Sequence, residues 1–280
     1  MSFVLLDSLS LPGDAAKPNE DAFAHTHSAA LVMDGATPLG EKLMPGPSDA
    51  AWLAQFGTRR LMAHLRDGNA PQDALAHALE DARKSFEALR RRPLREKWET
   101  PCASMMLVAE TNSGTEFLWY GDCTALLLKK DGCEIIGDGF DRRGQESERA
   151  RQVAKEKNLS PAPDLNRPEI LSLLRASRNN INRGKNWLFS PEPRAAAHVS
   201  RHTARPAQGD LLLIASDGFL ALATDYGRYD AMGLVQAAQT QTLAALGEEL
   251  RAVENDDAMG EKFARFKKSD DSTALLLEIT

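Results

Sequence analysis

The sequence is poor in cysteine, which excludes two common ways of stabilising a small protein. It has three cysteines in 280 residues, an odd number, and no CxxC pair. Disulfide frameworks need several paired cysteines, and structural zinc sites usually take ligands from closely spaced cysteine pairs. We therefore expect Cys102, Cys123 and Cys133 to be reduced and buried.

Long hydrophobic runs and an excess of positive charge are also missing. No apolar stretch approaches the ~20 residues that a membrane helix needs, and the run at residues 3–6 ends at Asp7 without the basic flank of a signal peptide. The chain has 34 basic and 40 acidic residues, a formal net charge of −6, which argues against broad nucleic-acid binding. We expect a cytoplasmic protein with neither a membrane nor a nucleic-acid partner, and the oligomeric state stays open.

What the sequence does contain is typical of a globular protein with a substantial core. Hydrophobic residues make up 42% and charged residues 26% of the chain. Helical periodicity follows the candidate caps Ser48 and Asp49, and Pro71 suits the first turn of a second helix. The predicted helices span residues 50–65, 71–89 and 233–246, with a charged helical stretch from 248; the main predicted strands span 103–108, 117–120, 125–128, 211–215 and 273–279.

Acidic residues recur where the apolar strands end. Asp34 and Asp217 follow the runs at 29–33 and 211–215, and Asp270 precedes the last strand. Several carboxylates close together repel one another unless a cation neutralises them, and oxygen ligands suit Mg²⁺ and Mn²⁺. The sequence therefore predicts a site for hard metal ions.

The order of these acidic motifs resembles that of the metal-dependent protein phosphatases (the PPM or type 2C family), in its bacterial branch. The resemblance extends from about residue 14 to the last residue and is least specific between 137 and 206. The matching segments are Asn19-Glu20-Asp21, Val32-Met33-Asp34-Gly35, Tyr120-Gly121-Asp122, Ile214-Ala215-Ser216-Asp217-Gly218 and Asp270-Asp271-Ser272-Thr273.

The resemblance implies an α+β fold. The expected architecture is a four-layer αββα sandwich, in which helices flank two mostly antiparallel sheets. Residues 1–280 would form a single domain of this type, with a flap-like insertion at about 137–206.

The resemblance also implies a centre that holds two Mn²⁺ or Mg²⁺ ions, with a weak third ion as an option. Asp34 would bridge both ions and, with Asp217, serve catalysis, while Asp271 is the less favoured ligand of its pair. The implied ligands are Asp21, Asp34, the Gly35 carbonyl, Asp217, Asp270, Glu20 through water, and Asp122 for the third ion.

The implied reaction is hydrolysis of phosphoserine or phosphothreonine in a phosphorylated protein, by attack of a water that bridges the two ions. Two cations ~3.5–4 Å apart activate such a water and stabilise the phosphoryl oxygens. No GxSxG nucleophile motif is present, so no covalent enzyme intermediate is expected. Two alternatives stay open: a phosphatase of a small phosphorylated metabolite, and a non-catalytic regulatory module.

The chain departs from the family pattern at positions that handle substrate. Ala16 replaces a phosphate-binding arginine, so the adjacent Lys17 is the candidate for the substrate phosphate, although it lacks arginine's two-pronged geometry. Ala36 stands where many members have histidine. Ala221 removes one ligand of a third ion, for which Asp256 or Asp257 would have to substitute. The cationic, asparagine-rich segment at 175–185 is a candidate substrate contact; its alternative is a solvated surface.

Overall fold

The computed structural model describes residues 1–140, 167–265 and 267–280, and these residues build two five-stranded sheets. Every neighbouring pair of strands is antiparallel. The first sheet has the order β1 (Phe3–Leu11), β10 (Ser272–Ile279), β9 (Leu211–Ala215), β6 (Thr124–Lys129) and β7 (Gly132–Ile136). The second has the order β2 (Asp21–His25), β3 (Ala29–Gly35), β4 (Ala103–Thr111), β5 (Gly114–Tyr120) and β8 (Ser200–Ala204).

Helices cover the outer face of each sheet. On the second sheet lie α1 (Asp49–Arg66) and α2 (Pro71–Leu89), and on the first lie α4 (Asp217–Thr224), α5 (Ala231–Thr240) and α6 (Leu243–Asp256). A further helix, α3 (Pro168–Arg178), contacts a short 3₁₀ turn at Lys97–Glu99. The predicted α+β sandwich of two antiparallel sheets flanked by helices is confirmed.

The apolar core lies in three layers, one between the sheets and one under each group of helices. Val32, Met106, Ile214 and Leu277 belong to the middle layer and are fully buried. Each such side chain contributes roughly 1.5–3 kcal/mol when it leaves water. Because both faces of the central strands are covered, those strands read as continuous apolar runs rather than as alternating ones.

The predicted starts of the first two helices are confirmed. The Ser48 side chain accepts a hydrogen bond from the Ala51 amide at 3.0 Å and caps α1, and Pro71 begins α2. The single helix predicted over 233–246 is wrong. The chain forms α5 and α6 there, because the Thr242 side chain accepts from the Ala245 amide at 3.1 Å and starts a new helix.

The segment at 137–206 is only partly described, so the insertion and the single-domain boundary stay predictions. The sequence also predicts a helix near 146–157, and this stretch lies outside the described residues. Within the described part, Phe189 is fully buried and pairs with Ala103 through backbone hydrogen bonds, and β8 extends the second sheet beside β5. Residues from Phe189 to Ala204 are therefore built into the sandwich.

None of the helices among the described residues combines the length and the apolar character that crossing a membrane requires.

Candidate active site

The site begins where β2 and β3 pair at one end of the inter-sheet layer. Asp21 and Asp34 lie directly opposite each other in this antiparallel pair, so their side chains are on the same face of the sheet. Asp34 follows Val32 by two residues and therefore shares its face, which is turned toward the other sheet. The apolar layer between the sheets thus ends in two carboxylates.

Three carboxylates meet at this end from three different elements. Oxygen atoms of Asp34, Asp122 and Asp217 all lie within 4.8 Å of one another. Asp34 belongs to β3, Asp122 to the turn between β5 and β6, and Asp217 to the first turn of α4. Gly121 has a φ of +71°, which a residue with a side chain adopts only at a cost, and it lets the turn present Asp122.

Asp21 is held from the other sheet by Ser216. The Ser216 hydroxyl donates to Asp21 Oδ2 at 2.9 Å and accepts from the Thr273 amide at 2.9 Å. The second oxygen, Asp21 Oδ1, is buried and has no hydrogen-bond partner among the described residues. A buried carboxylate oxygen in this condition is costly unless a cation or proton satisfies it.

The pKa values of the clustered carboxylates also indicate a cation site. Burial, followed by the charges of Asp21 and Asp217, raises the pKa of Asp34 well above its ordinary value. Burial is also the main reason that the pKa of Asp21 rises to about 8, with Asp271 and Asp270 adding to it. Burial raises the pKa of Glu20 as well. A divalent cation would remove this repulsion, so the residues present fit Mn²⁺ or Mg²⁺.

Gly35 allows three backbone segments to meet beside Asp34. A Cβ atom there would lie 2.6 Å from the Glu20 carbonyl oxygen and 2.9 Å from the Ala50 carbonyl oxygen. The Ser48 hydroxyl donates to Glu20 Oε1 at 2.6 Å, so the cap of α1 is also bonded to the site. The close approach of the Glu20 and Ala50 backbone to Gly35 forms a cradle beside Asp34. The use of the Gly35 carbonyl and of Glu20 as metal ligands stays a prediction.

Asp270 and Asp271, adjacent in sequence, have different surroundings. Lys267 Nζ lies 2.7 Å from Asp270 Oδ1. Asp271 instead accepts hydrogen bonds from the backbone amides of Gly13 at 2.7 Å and Glu20 at 2.6 Å. Its carboxylate is therefore engaged in holding backbone, which agrees with its lower rank as a ligand.

A cleft of about 400 Å³ opens over the carboxylates. Asp34, Asp122, Asp217 and Asp270 line this cleft together with Gly35. Its lining also includes Arg178 of α3, Trp187, Tyr226, Arg265, Lys267 and Lys268. Trp187 stacks on His198 with ring centroids 3.6 Å apart, which fixes its ring at the wall.

The structure does not bring Lys17 into this cleft. Its side chain is 73% exposed, its Nζ is 3.7 Å from Asp14 Oδ2, and it lines a neighbouring groove that also contains Glu20 and Lys267. The predicted substitutes for a third-ion ligand are also poorly placed. Asp256 is exposed, and Asp257 binds Arg265 at 2.8 Å.

Sequence reasoning missed Lys267 as a residue of the site, and it left Arg178 inside a broad cationic segment. Lys267 and Lys268 are adjacent lysines, and no local signal says that Lys267 rather than Lys268 forms the ion pair with Asp270. Arg178 belongs to the segment 175–185, which the sequence predicts as a candidate substrate contact without singling out one residue.

Comparison with known proteins identifies the fold at the level of structure. No protein-family model matches the sequence, and no curated protein matches it either. The PPM Ser-Thr phosphatase MsPP from Mycobacterium smegmatis, solved with cacodylate, is 18% identical over 99% of both chains, with a TM-score of 0.56. The catalytic domain of the phosphatase PstP, solved with two manganese ions, is 15% identical over 99% of this chain and 98% of that one, with a TM-score of 0.57. The photosystem II phosphatase PBCP is 13% identical over 99% of both chains, with a TM-score of 0.60.

With two antiparallel sheets, flanking helices and an acidic cleft at their end, the chain has the fold of the PPM Ser/Thr phosphatases, the family that its motifs resemble.

Proposed function

We propose that this protein is a Mn²⁺- or Mg²⁺-dependent phosphatase that hydrolyses phosphoserine and phosphothreonine in proteins. The observation that carries the proposal is the meeting of Asp34, Asp122 and Asp217 within 4.8 Å in a cleft of the PPM fold. Phosphate ester hydrolysis is the chemistry that such an oxygen-rich centre suits best.

Asp21, Asp34, Asp217, Asp270 and the Gly35 carbonyl would hold the two cations. Glu20 would contribute through water, and Asp122 is the candidate for a weaker third ion. When bound, such cations lower the pKa of a coordinated water and polarise the phosphoryl oxygens. The manganese ions of PstP support the choice of metal.

The chain's own residues set the geometry of the centre. Ser216 fixes the orientation of Asp21 through its 2.9 Å hydrogen bond, and Asp271 holds the backbone at Glu20. Both act on groups that surround Asp34, so they are positioning residues. Arg178 and Trp187 line the cleft and would contact the substrate outside its phosphate.

A phosphorylated protein is the proposed substrate, because MsPP and PstP are Ser/Thr phosphatases. No feature of the described cleft favours a metabolite or a purely regulatory role. The cysteines Cys102, Cys123 and Cys133 are free thiols, which supports a reducing compartment such as the cytoplasm.

The proposal is tested by hydrolysis of p-nitrophenyl phosphate and of a phosphothreonine peptide, with Mn²⁺, with Mg²⁺ and with chelator. Asp217→Asn keeps the size of the side chain and removes its charge, so it is the matched inactive variant. We expect turnover that both chelator and the substitution abolish, and a higher kcat/KM for the peptide.

Three results would contradict parts of the proposal. Metal binding without turnover on either substrate would favour a regulatory module. Turnover confined to a small phosphorylated metabolite would exclude a protein substrate. Failure to bind either metal would exclude the metal-dependent mechanism altogether.

A further inference from the structure

Lys267 lies inside the candidate centre, although the sequence assigned it no role. Its side chain is 29% exposed, and its Nζ is 2.7 Å from Asp270 Oδ1. It lines both the acidic cleft and the neighbouring groove, so it stands where the two meet.

The ammonium group of Lys267 has N–H donors that make no hydrogen bond to the described residues. A lysine offers three N–H donors, and among the described residues Lys267 donates one hydrogen bond, to Asp270. Arg265 is more committed to the protein, because it binds Asp257 and the carbonyls of Phe263 and Glu254. Arg178 donates to the Thr37 carbonyl at 2.7 Å and also has donors left, but among the described residues it forms no ion pair with a carboxylate of the centre.

The net charge of the proposed centre indicates a second role for Lys267, in addition to its ion pair with Asp270. The proposed centre contains the carboxylates of Asp21, Asp34, Asp122, Asp217 and Asp270. Their negative charge exceeds the positive charge of two divalent ions. A phosphate monoester, itself close to −2 at neutral pH, would approach this centre poorly unless one more cation were present.

We infer that Lys267 binds the phosphoryl oxygens of the substrate, a part that the sequence assigned to Lys17. The inference rests on the proposed function. Lys17 would have to leave solvent and its contact with Asp14 to reach the carboxylates, whereas Lys267 already lies against Asp270. A cation bound by Asp270 would weaken the ion pair and leave the ammonium directed at the incoming phosphate.

The test compares Lys267→Met, which removes the charge at similar length, with Lys267→Arg, which keeps it. Lys262→Met removes the same charge from an exposed lysine that lines neither the cleft nor the groove, so it is the matched control. Lys17→Met tests the competing residue. For each protein, Mn²⁺ affinity is measured from the electron paramagnetic resonance of free Mn²⁺. The affinity of the Mn²⁺-loaded protein for inorganic phosphate is measured by calorimetry, and KM and kcat are measured with p-nitrophenyl phosphate.

We expect Lys267→Met to lower phosphate affinity and raise KM about 10- to 100-fold, the loss of one charge-assisted hydrogen bond. Its Mn²⁺ affinity should be unchanged or higher, because a competing cation has been removed. Lys267→Arg should retain phosphate affinity within a few fold, and Lys262→Met should resemble the wild type.

The inference is overturned if Lys267→Met binds Mn²⁺ and phosphate as the wild type does, or if Lys17→Met shows the loss instead. Loss of Mn²⁺ binding in both Lys267 variants would also overturn it, since the residue would then be structural. A wild-type protein that binds no Mn²⁺ and has no turnover would instead contradict the proposed function itself, so the two failures are distinguishable.

Discussion

Asp271 Oδ2 accepts a hydrogen bond from the Glu20 backbone amide at 2.6 Å, although the two residues are 251 positions apart in the chain. Its other oxygen accepts from the Gly13 amide at 2.7 Å. One carboxylate therefore joins the loop before β10 to the loop before β2. Each loop carries a proposed ligand next to the bonded residue, Asp270 in one and Asp21 in the other.

Replacing Asp271 with alanine should damage both stability and metal binding. The change removes two hydrogen bonds to a charged acceptor, which together stabilise the fold by about 3–6 kcal/mol. Metal affinity should fall about 10- to 100-fold, because residues that orient ligands have effects of that size. Chemical unfolding and Mn²⁺ titration measure the two effects.

Asp131 is the matched control for that change, because it is exposed in the turn between β6 and β7. Asp131→Ala should alter the free energy of unfolding by no more than about 0.5 kcal/mol. Asp271→Ala with wild-type stability and wild-type Mn²⁺ affinity would show that the two loops are held together by other contacts.

The metal-free protein should lose stability as pH rises. The pKa of Asp21 is about 8 in the folded protein, against an ordinary value of 3.8. Between these values the folded state retains a proton that the unfolded state has released, so unfolding becomes more favourable with increasing pH. We expect the Tm measured in chelator to fall from pH 5 to pH 8, and to fall less in Asp21→Asn.

Added Mn²⁺ should reverse this trend, because the ion binds the deprotonated carboxylates and its affinity rises with pH. Asp131→Asn should follow the wild-type profile. A Tm in chelator that is constant or increases between pH 5 and pH 8 would show that Asp21 does not titrate as the structure indicates.

Gly35 should not tolerate even a methyl group. An added Cβ would contact two backbone carbonyl oxygens, at Glu20 and Ala50, at 2.6 and 2.9 Å. Backbone cannot rotate away as a side chain can, so we expect Gly35→Ala to cost about 2–3 kcal/mol and to abolish Mn²⁺ binding.

Gly46→Ala provides the comparison for Gly35→Ala. Gly46 has a φ of +99° and open space around it, so alanine there should cost about 1–2 kcal/mol from backbone strain without affecting Mn²⁺ binding. If Gly35→Ala bound Mn²⁺ as tightly as Gly46→Ala did, the cradle beside Asp34 would not be required for the centre.

Helix α3 should hold the loop that follows Asp34 and Gly35. Arg175 donates two hydrogen bonds to the Leu39 carbonyl, at 3.0 and 2.6 Å, and its guanidinium lies 4.3 Å from the Trp98 ring centroid. We expect Arg175→Ala to speed amide hydrogen exchange in residues 37–41, because local opening becomes easier when these contacts are lost.

Lys185→Ala is the control for the loop, because Lys185 is an exposed cation of the same cationic segment. It should leave exchange in residues 37–41 unchanged. Equal exchange rates in Arg175→Ala and the wild type would mean that the loop is held without α3.

Much of the fold could be predicted because its signals are local. Ser48 and Pro71 mark helix starts through their own chemistry, and the strands of the middle layer are continuous apolar runs. The sequence predicts one helix where the structure has α5 and α6. The reason is that the cap at Thr242 is a single residue inside a long helical pattern. Short caps of this kind are weak signals when the flanking periodicity continues.

The candidate site was only partly predictable, and for a different reason. The aspartates could be found because each follows or precedes an apolar strand. Lys267 and Lys17 are indistinguishable by local sequence, since both are lysines in polar loops. Their difference in exposure arises from the path of loops that meet only after the two sheets have packed together.

The centre lies between two sheets that the described part of the chain joins without any disulfide, since all three cysteines are free thiols. Asp21 and Asp34 belong to one sheet, whereas Asp217 and Asp270 adjoin strands of the other. An ion shared by these residues would cross-link the sheets, and its binding free energy would add to that of sheet packing. The metal supply of the cell would then set the abundance of the folded protein as well as its rate of turnover.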